Sequence, residues 1–113
     1  MNTRLEYMYR DGENYKQFGE VVLAGEVTIA QLKPHLYEGG FFMPSEVGLE
    51  DLQETPYLAC DHVWHELEET VPIDNAPTVD ISAKELLIRF KAAGRVKWDT
   101  KTVAARMMEV DGL

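Results

Sequence analysis

The chain has 113 residues, 45% of them hydrophobic, and a formal net charge of −9 at pH 7. These values are typical of one globular domain, here 1–113, with a single core, and no apolar run approaches the roughly 20 residues of a membrane span. Charges interrupt the apolar residues of 1–16, which excludes a signal-peptide core there, and the one cysteine, Cys60, excludes an internal disulfide. We therefore expect a cytoplasmic protein.

Acidic residues are concentrated in the middle of the chain. No Lys or Arg occurs between Lys33 and Lys84, and this interval, which we call the acidic segment, contains eleven acids: Glu38, Glu46, Glu50, Asp51, Glu54, Asp61, Glu66, Glu68, Glu69, Asp74 and Asp80. From Lys84 onward, basic residues outnumber acidic ones. Such a segment is suited to steering association with a basic partner surface, and it disfavours direct nucleic-acid binding, which would be confined to the basic last third.

The N-terminal part of the chain predicts a pair of strands. Apolar side chains alternate with others at Leu5, Tyr7 and Tyr9, which is the period of a strand with one buried face. DGENYKQFG, residues 11–19, follows as a predicted nine-residue loop with a turn signal at its start. The β-branched run EVVLAGEVT, residues 20–28, then predicts a second strand that pairs with the first.

The next predicted elements are a short helix and a third strand. Thr28 and Gln31 fit a capping box, so we expect a helix to begin at Ile29, and Pro34 should keep it short. Gly39 and Gly40 are predicted to end this helix. FFMPSEV, residues 41–47, predicts a strand that its proline would restrict to an edge or a bulge.

DHVWHELEETV, residues 61–71, fits two structures. Read with a period of two, it is a strand with one exposed face that holds His62, Trp64, Glu66 and Glu68. Read with a period of 3.6, it is a helix capped by Asp61. We favour the strand because a helix would place four acids within two turns, and the helix stays open as the alternative.

Two helices are predicted to end the chain. Ser82 and Glu85 fit a capping box, so we expect a helix over 83–93 that Gly94 terminates. A last helix is predicted over 100–110. The order β-β-α-β-β-α-α predicts an α+β two-layer fold, in which a small four-stranded antiparallel or mixed sheet is covered on one face by helices.

The stretch DHVWHELEETV, residues 61–71, also contains four candidate metal ligands: Asp61, His62, His65 and Glu66. On a helix, the last three would share one face, as ligands of catalytic zinc do, whereas on a strand the two histidines point to opposite faces. The order H-x-x-H-E also differs from H-E-x-x-H, in which the glutamate lies between the histidines as general base. Zinc or another divalent metal is therefore the alternative, and we favour a protein without a cofactor and assign no catalytic residue.

Candidate binding residues lie in two segments. They are Asp11, Asn14, Tyr15 and Lys16 in the first loop, and Trp64, Glu66 and Glu68 in the later stretch. Loops on a rigid scaffold often carry recognition, and Tyr with Asn suits a contact surface. Trp64 is the best candidate for an exposed anchor. The alternative is a hairpin whose Tyr15 and Phe18 fold back onto the sheet.

YMYRDGENYK (7–16) and DHVWHEL (61–67), followed by PT (77–78) and a capped helix, resemble a group of small bacterial or phage-borne proteins with which we associate no activity. The resemblance covers most of the chain. It implies that this group's recurring residues are Asp11, Asn14, Tyr15, Lys16, Asp61, His62, Trp64, His65 and Glu66, without giving them roles.

From the sequence we expect a small acidic interaction module that acts by protein–protein binding to a basic partner surface. A sharper version is an inhibitor or nucleic-acid mimic of the phage anti-defence or toxin-neutralising type. The alternative is a metal-binding protein or a metal-dependent hydrolase that uses the DHVWHE stretch. A homodimer is possible, and the acids could also form a merely solvating surface or pack against the basic last third.

Overall fold

The computed structural model describes residues 1–53 and 62–98. Three strands, β1 (Asn2–Arg10), β2 (Lys16–Leu23) and β3 (His65–Ile73), form one antiparallel sheet in the order β2-β1-β3. The helical elements are α1 (Ile29–Leu32), α2 (Ala83–Arg95) and two 3-10 helices, Lys33–His35 and Pro44–Val47. None of these helices is long and apolar enough to cross a bilayer.

The fold is a small α+β fold, and the predicted four-stranded sheet is wrong. Residues 41–47 do not form the extra strand: Phe41 and Phe42 make isolated bridges, and Pro44–Val47 is a 3-10 helix. Pro44 occupies the start of that helix, where a missing N–H costs nothing, and Gly48 ends it with φ 85°. The predicted helix over 100–110 lies outside the described residues.

The turn between β1 and β2 is tighter than the nine-residue loop that the sequence predicts, because β2 already begins at Lys16. One carboxylate oxygen of Asp11 accepts the N–H groups of Glu13 and Tyr15, both at 2.9 Å. Asn14 adopts the left-handed conformation, with φ 66°, which asparagine tolerates better than most residues. These interactions make a five-residue turn out of polar residues that look flexible in the sequence.

β3 confirms the strand interpretation of residues 61–71 from His65 onward. Val63 and His65 are buried, as the period of two predicts for the inner face. Thr70 also faces inward, where its hydroxyl oxygen accepts the N–H of Ile29 at 3.1 Å. This bond ties the first residue of α1 to the sheet.

A β-bulge interrupts the pairing of β3 with β1. Tyr7 lies opposite Leu67 and Glu6 lies opposite Glu69, so Glu68 has no opposite residue in the register. With strict alternation, Leu67 and Glu69 would share the inner face and a carboxylate would be buried. The extra residue reverses the alternation and turns Glu69 outward.

The starts of the first two predicted helices are confirmed. At α1, the Thr28 hydroxyl accepts the Gln31 N–H at 3.3 Å, and the Gln31 side chain accepts the Thr28 N–H at 2.9 Å. At α2, the Ser82 hydroxyl accepts the Glu85 N–H at 3.1 Å. The Glu85 carboxylate accepts from Arg89, one turn later, at 2.9 Å. Local sequence is sufficient to predict caps because their partners lie within four residues.

The predicted end of α2 at Gly94 is wrong, since the helix continues to Arg95. Gly94 serves close packing instead of termination. A Cβ atom at this position would lie 3.0 Å from the carbonyl oxygen and 3.3 Å from the Cα atom of His35. The glycine therefore lets α2 approach the 3-10 helix Lys33–His35.

α2 ends in a Schellman motif. The Lys97 N–H bonds the Gly94 carbonyl at 3.1 Å, and the Trp98 N–H bonds the Ala93 carbonyl at 2.8 Å. Lys97 has φ 51°, the left-handed conformation that usually belongs to glycine at this position. The helix end is thus formed at the cost of some strain at a lysine.

Replacing Lys97 by glycine is expected to raise the free energy of unfolding by about 1 kcal/mol, because glycine adopts the left-handed conformation without a Cβ clash. Val96 is the control: its φ is −100°, so Val96→Gly should lower stability by increasing the freedom of the unfolded chain. Urea unfolding followed by circular dichroism measures both changes. Equal destabilisation by the two glycines would contradict the assignment of Lys97 as the strained residue.

Candidate functional site

The two segments that hold the predicted binding residues meet at one end of the sheet. The turn at 11–15 follows the end of β1, and β3 begins opposite that end. The ring of Tyr9 packs against both His62 and His65, with centroid distances of 5.1 and 5.2 Å. The Tyr9 hydroxyl also accepts the His62 N–H at 3.2 Å. Tyr9 is therefore the residue that joins the two segments.

Both ring nitrogens of His62 bind the main chain. Nε2 lies 2.6 Å from the carbonyl oxygen of Arg10, and Nδ1 accepts the Trp64 N–H at 3.0 Å. Because Nε2 faces an acceptor and Nδ1 faces a donor, we assign the ring hydrogen of His62 to Nε2. His62 thus fastens the end of β1 to the chain that enters β3.

His65 has a similar role inside the core. Nδ1 lies 3.2 Å from the Val63 carbonyl oxygen, and Nε2 accepts the Leu52 N–H at 3.1 Å. A carboxylate oxygen of Asp51 also lies 3.3 Å from Nε2. Because Nε2 cannot accept from Leu52 and donate to Asp51 at once, we assign the hydrogen to Nδ1, where a carbonyl oxygen faces it. In that form the Asp51 contact is not a hydrogen bond.

Three of the four predicted metal ligands, His62, His65 and Glu66, lie in the part of the chain that the structure describes. Within residues 1–53 and 62–98, no group of three His, Cys, Asp or Glu side chains is arranged to hold a metal ion. His62 and His65 use their nitrogens for the main chain, and Glu66 lies 3.5 Å from the guanidinium of Arg10. The fourth predicted ligand, Asp61, lies outside the described residues. The contacts of the other three link the start of β3 to Arg10 and Leu52.

The predicted binding residues of the first loop divide into two kinds. Asp11 and Asn14 build the turn itself. Tyr15 and Lys16 project into solvent, and Tyr15 is 76% exposed. Phe18 is 67% exposed, so neither aromatic ring folds back onto the sheet. A hydrogen-bonded turn that presents an exposed tyrosine is suited to contact with another molecule.

Trp64 is half-buried, since its ring stacks on Tyr37 with a centroid distance of 4.4 Å and an interplanar angle of 10°. The stack reduces its value as a free anchor and fixes its orientation. Sequence reasoning missed Tyr37 because no local pattern links it to Trp64. The pair forms only when the chain around the 3-10 helix Lys33–His35 packs beside the start of β3.

The surface of the sheet that faces away from the core, which we call the outer face, carries most of the charge near these residues. One row across the strands places Glu20, Glu6 and Glu69 side by side. The guanidinium of Arg4 lies 3.8 Å from Glu6, 3.2 Å from Glu20 and 3.6 Å from Glu69. Because one arginine serves three carboxylates, this row keeps an excess of negative charge.

The second row of the outer face adds Glu66, which pairs with Arg10, and the exposed bulge residue Glu68 lies beside it. Counting Lys16 at the start of β2, the outer face carries five glutamates and three basic residues. Sequence reasoning identified Glu66 and Glu68 but missed Glu6, Glu20 and Arg4. Those three are not in the acidic segment, and only the strand register brings them to it.

The other acids of the acidic segment lie elsewhere. Glu50 and Asp80 line a groove beside Arg89, and Glu38 lies at a second groove beside Lys97. Two further acids, at positions 54 and 61, lie outside the described residues. The described acids of the segment are thus divided among several parts of the molecule. Within residues 1–53 and 62–98, its β3 glutamates Glu66 and Glu69 pair with Arg10 and Arg4 of β1.

Comparisons of this chain with protein-family models, with curated proteins and with solved structures give no match. The outer face, the exposed turn and the histidine contacts are the features of this structure that bear on function.

Proposed function

We propose that the protein is an interaction module whose outer face binds a basic surface of a partner protein. The observation that supports this most directly is the bulge at Glu68. It places three glutamates of β3, Glu66, Glu68 and Glu69, on the exposed side of the sheet, where strict alternation would direct one of them into the core. Bulges commonly redirect a side chain at a functional surface.

The ion pairs of the outer face leave its carboxylates available to a partner. Exposed pairs of this kind are each worth about 0 to 1 kcal/mol, so they are easily exchanged. Arg4 shares one guanidinium among three carboxylates, at distances of 3.2 to 3.8 Å. Lysine or arginine side chains of a partner would complete this pairing and speed association at low salt.

The three basic residues of the outer face bear on what kind of partner it recognises. Nucleic acid presents uniform negative charge, about one phosphate per 1.7 Å of duplex axis. On the outer face, Arg4 and Arg10 lie among the glutamates. This mixed pattern favours recognition of a specific protein surface over imitation of nucleic acid, and we therefore do not extend the proposal to a mimic.

The test compares two triple variants that remove the same charge. Glu66→Gln, Glu68→Gln and Glu69→Gln neutralise the β3 part of the outer face, while Glu26→Gln, Glu46→Gln and Asp74→Asn neutralise exposed acids elsewhere. Each protein is immobilised and exposed to lysate at about 50 and 300 mM salt, and retained proteins are identified by mass spectrometry.

We expect wild type and the control variant to retain the same basic proteins at low salt and to lose them at high salt. The β3 variant should lose them at both. If both variants lose retention equally, total charge and not the outer face is responsible. If wild type retains no basic protein, the proposal is wrong.

A further inference from the structure

One edge of the sheet is open. In β2, residues 16–20 are exposed at all positions except Gly19, which is half-buried. Among the described residues, main-chain bonds on that edge begin only at Val22, whose N–H and carbonyl bind the side chain and the N–H of Thr78 at 2.8 and 2.9 Å. Between Lys16 and Glu20, no described residue pairs with the main-chain groups that point off the sheet.

The contact at Val22 also tells which groups point outward. Main-chain groups alternate in direction along a strand. Since the N–H and carbonyl of Val22 point off the sheet, those of Glu20, Phe18 and Lys16 do so as well, while the residues between them bond to β1. The open edge thus has three outward-facing residues, with Phe18 at its centre.

The other edge of the sheet, formed by β3, is protected. Glu68 bulges, Pro72 lacks an N–H, and His65 is bridged by Phe42 through bonds of 2.8 and 3.0 Å. Bulges, prolines and covering segments are the usual means of preventing edge pairing. Residues 16–20 contain neither a proline nor a bulge. The contrast indicates that this edge is left free to pair.

We propose that two copies of this chain pair through β2, antiparallel and centred on Phe18. In that register, Phe18 of one copy faces Phe18 of the other. Lys16 of each copy faces Glu20 of the other copy, so this pair occurs twice. Aromatic pairs and opposite charges are the favourable cross-strand neighbours. No carboxylate among the described residues pairs with Lys16, which lies opposite Arg10 on β1. A glutamate of the second copy supplies the missing partner.

The same register satisfies the main chain. The three outward-facing residues of each copy meet outward-facing residues of the other, and each facing pair exchanges two hydrogen bonds, giving roughly six in total. Pairing stops at Glu20 because Thr78 occupies the next outward position, at Val22. The usable span, Lys16 to Glu20, is therefore symmetric about Phe18, as a two-fold interface requires.

The dimer has one continuous sheet, with the outer faces of both copies on the same side. Phe18 neighbours the buried Met8 on β1, so the two-fold axis passes through an apolar strip flanked by the Lys16 and Glu20 pairs. The contact is short and both copies carry the same net charge of −9, so we expect a weak dimer. The inference does not rest on the proposed function.

Two single substitutions test the register. Lys16→Glu places a glutamate opposite Glu20 in a homodimer, and Glu20→Lys places a lysine opposite Lys16. Each change should weaken self-association at least tenfold. In an equimolar mixture of the two variants, opposite charges face each other at both pairs, so dimers should re-form. Sedimentation velocity over about 10 μM to 0.5 mM measures association.

Lys33→Glu and Glu46→Lys, made at exposed positions away from β2, are the charge-matched controls and should dimerise like wild type. Circular dichroism verifies that each variant is folded. A wild-type protein that stays monomeric at 0.5 mM would overturn the proposal. So would single variants that still dimerise, or a mixture that fails to restore the association that the single variants lose.

Discussion

Replacing Phe42 by alanine is expected to lower the free energy of unfolding by about 3 to 5 kcal/mol, the largest effect of any single change proposed for this chain. Phe42 is fully buried. Its ring contacts Tyr7 and His65 on the sheet, and Phe90 and Trp98 at α2, at centroid distances of 5.4 to 6.3 Å. Truncation would leave a cavity where the two layers meet, and neither layer can close it alone.

Phe41 provides the matched control. It is the same residue type at the preceding position, but it is 36% exposed. Phe41→Ala should therefore cost less than about 1 kcal/mol, as most surface changes do. Urea unfolding of wild type and both variants gives the two changes in the free energy of unfolding. The dependence of that free energy on urea concentration should be the same in all three proteins. Similar losses at the two positions would contradict the central role assigned to Phe42.

The second large effect is a loss of stability at alkaline pH, caused by Tyr7. Burial raises the pKa of the Tyr7 hydroxyl to about 12 from its usual 10.0, and the nearby charges of Glu50 and Asp51 add to the shift. The hydroxyl donates to the Glu50 carbonyl at 2.6 Å. In the unfolded chain the phenol loses its proton near pH 10, whereas in the folded chain it stays protonated until about pH 12.

Unfolding therefore releases a proton between these two pH values. The free energy of unfolding should be unaffected by Tyr7 below pH 10 and should fall by roughly 2 to 3 kcal/mol between pH 10 and 12. Urea unfolding at half-unit steps of pH measures this slope. Tyr7→Phe should remove the slope and Tyr15→Phe, at an exposed position, should leave it unchanged. If the free energy of unfolding of Tyr7→Phe still falls between pH 10 and 12, another group is responsible for the loss of stability.

Local sequence was sufficient for the elements whose determinants lie close together. The caps at Thr28 and Ser82 form with partners three residues away, and the alternation around Leu5 predicts β1 correctly. The strand predicted at 41–47 failed because a proline that is tolerated at a strand edge is equally suited to the first turn of a 3-10 helix. Sequence alone does not distinguish these two uses.

The candidate site was only partly predictable for a related reason. Glu66 and Glu68 can be assigned to an exposed face by alternation, but Glu69 reaches that face through a bulge. Glu6 and Arg4 join the outer face through strand register, which depends on the whole sheet. Register and bulges are set by tertiary packing, so no short window of sequence contains them.

The two tryptophans of this chain differ in exposure, so they can serve as separate optical labels. Trp64 is half-exposed at the end of the sheet where the turn and the histidines meet, whereas Trp98 is buried and donates its indole N–H to the His35 carbonyl at 2.8 Å. We therefore expect a dissolved quencher to reach the indole of Trp64 and not that of Trp98. Fluorescence can therefore report separately on events at that end of the sheet and on the integrity of the interior, without any added dye.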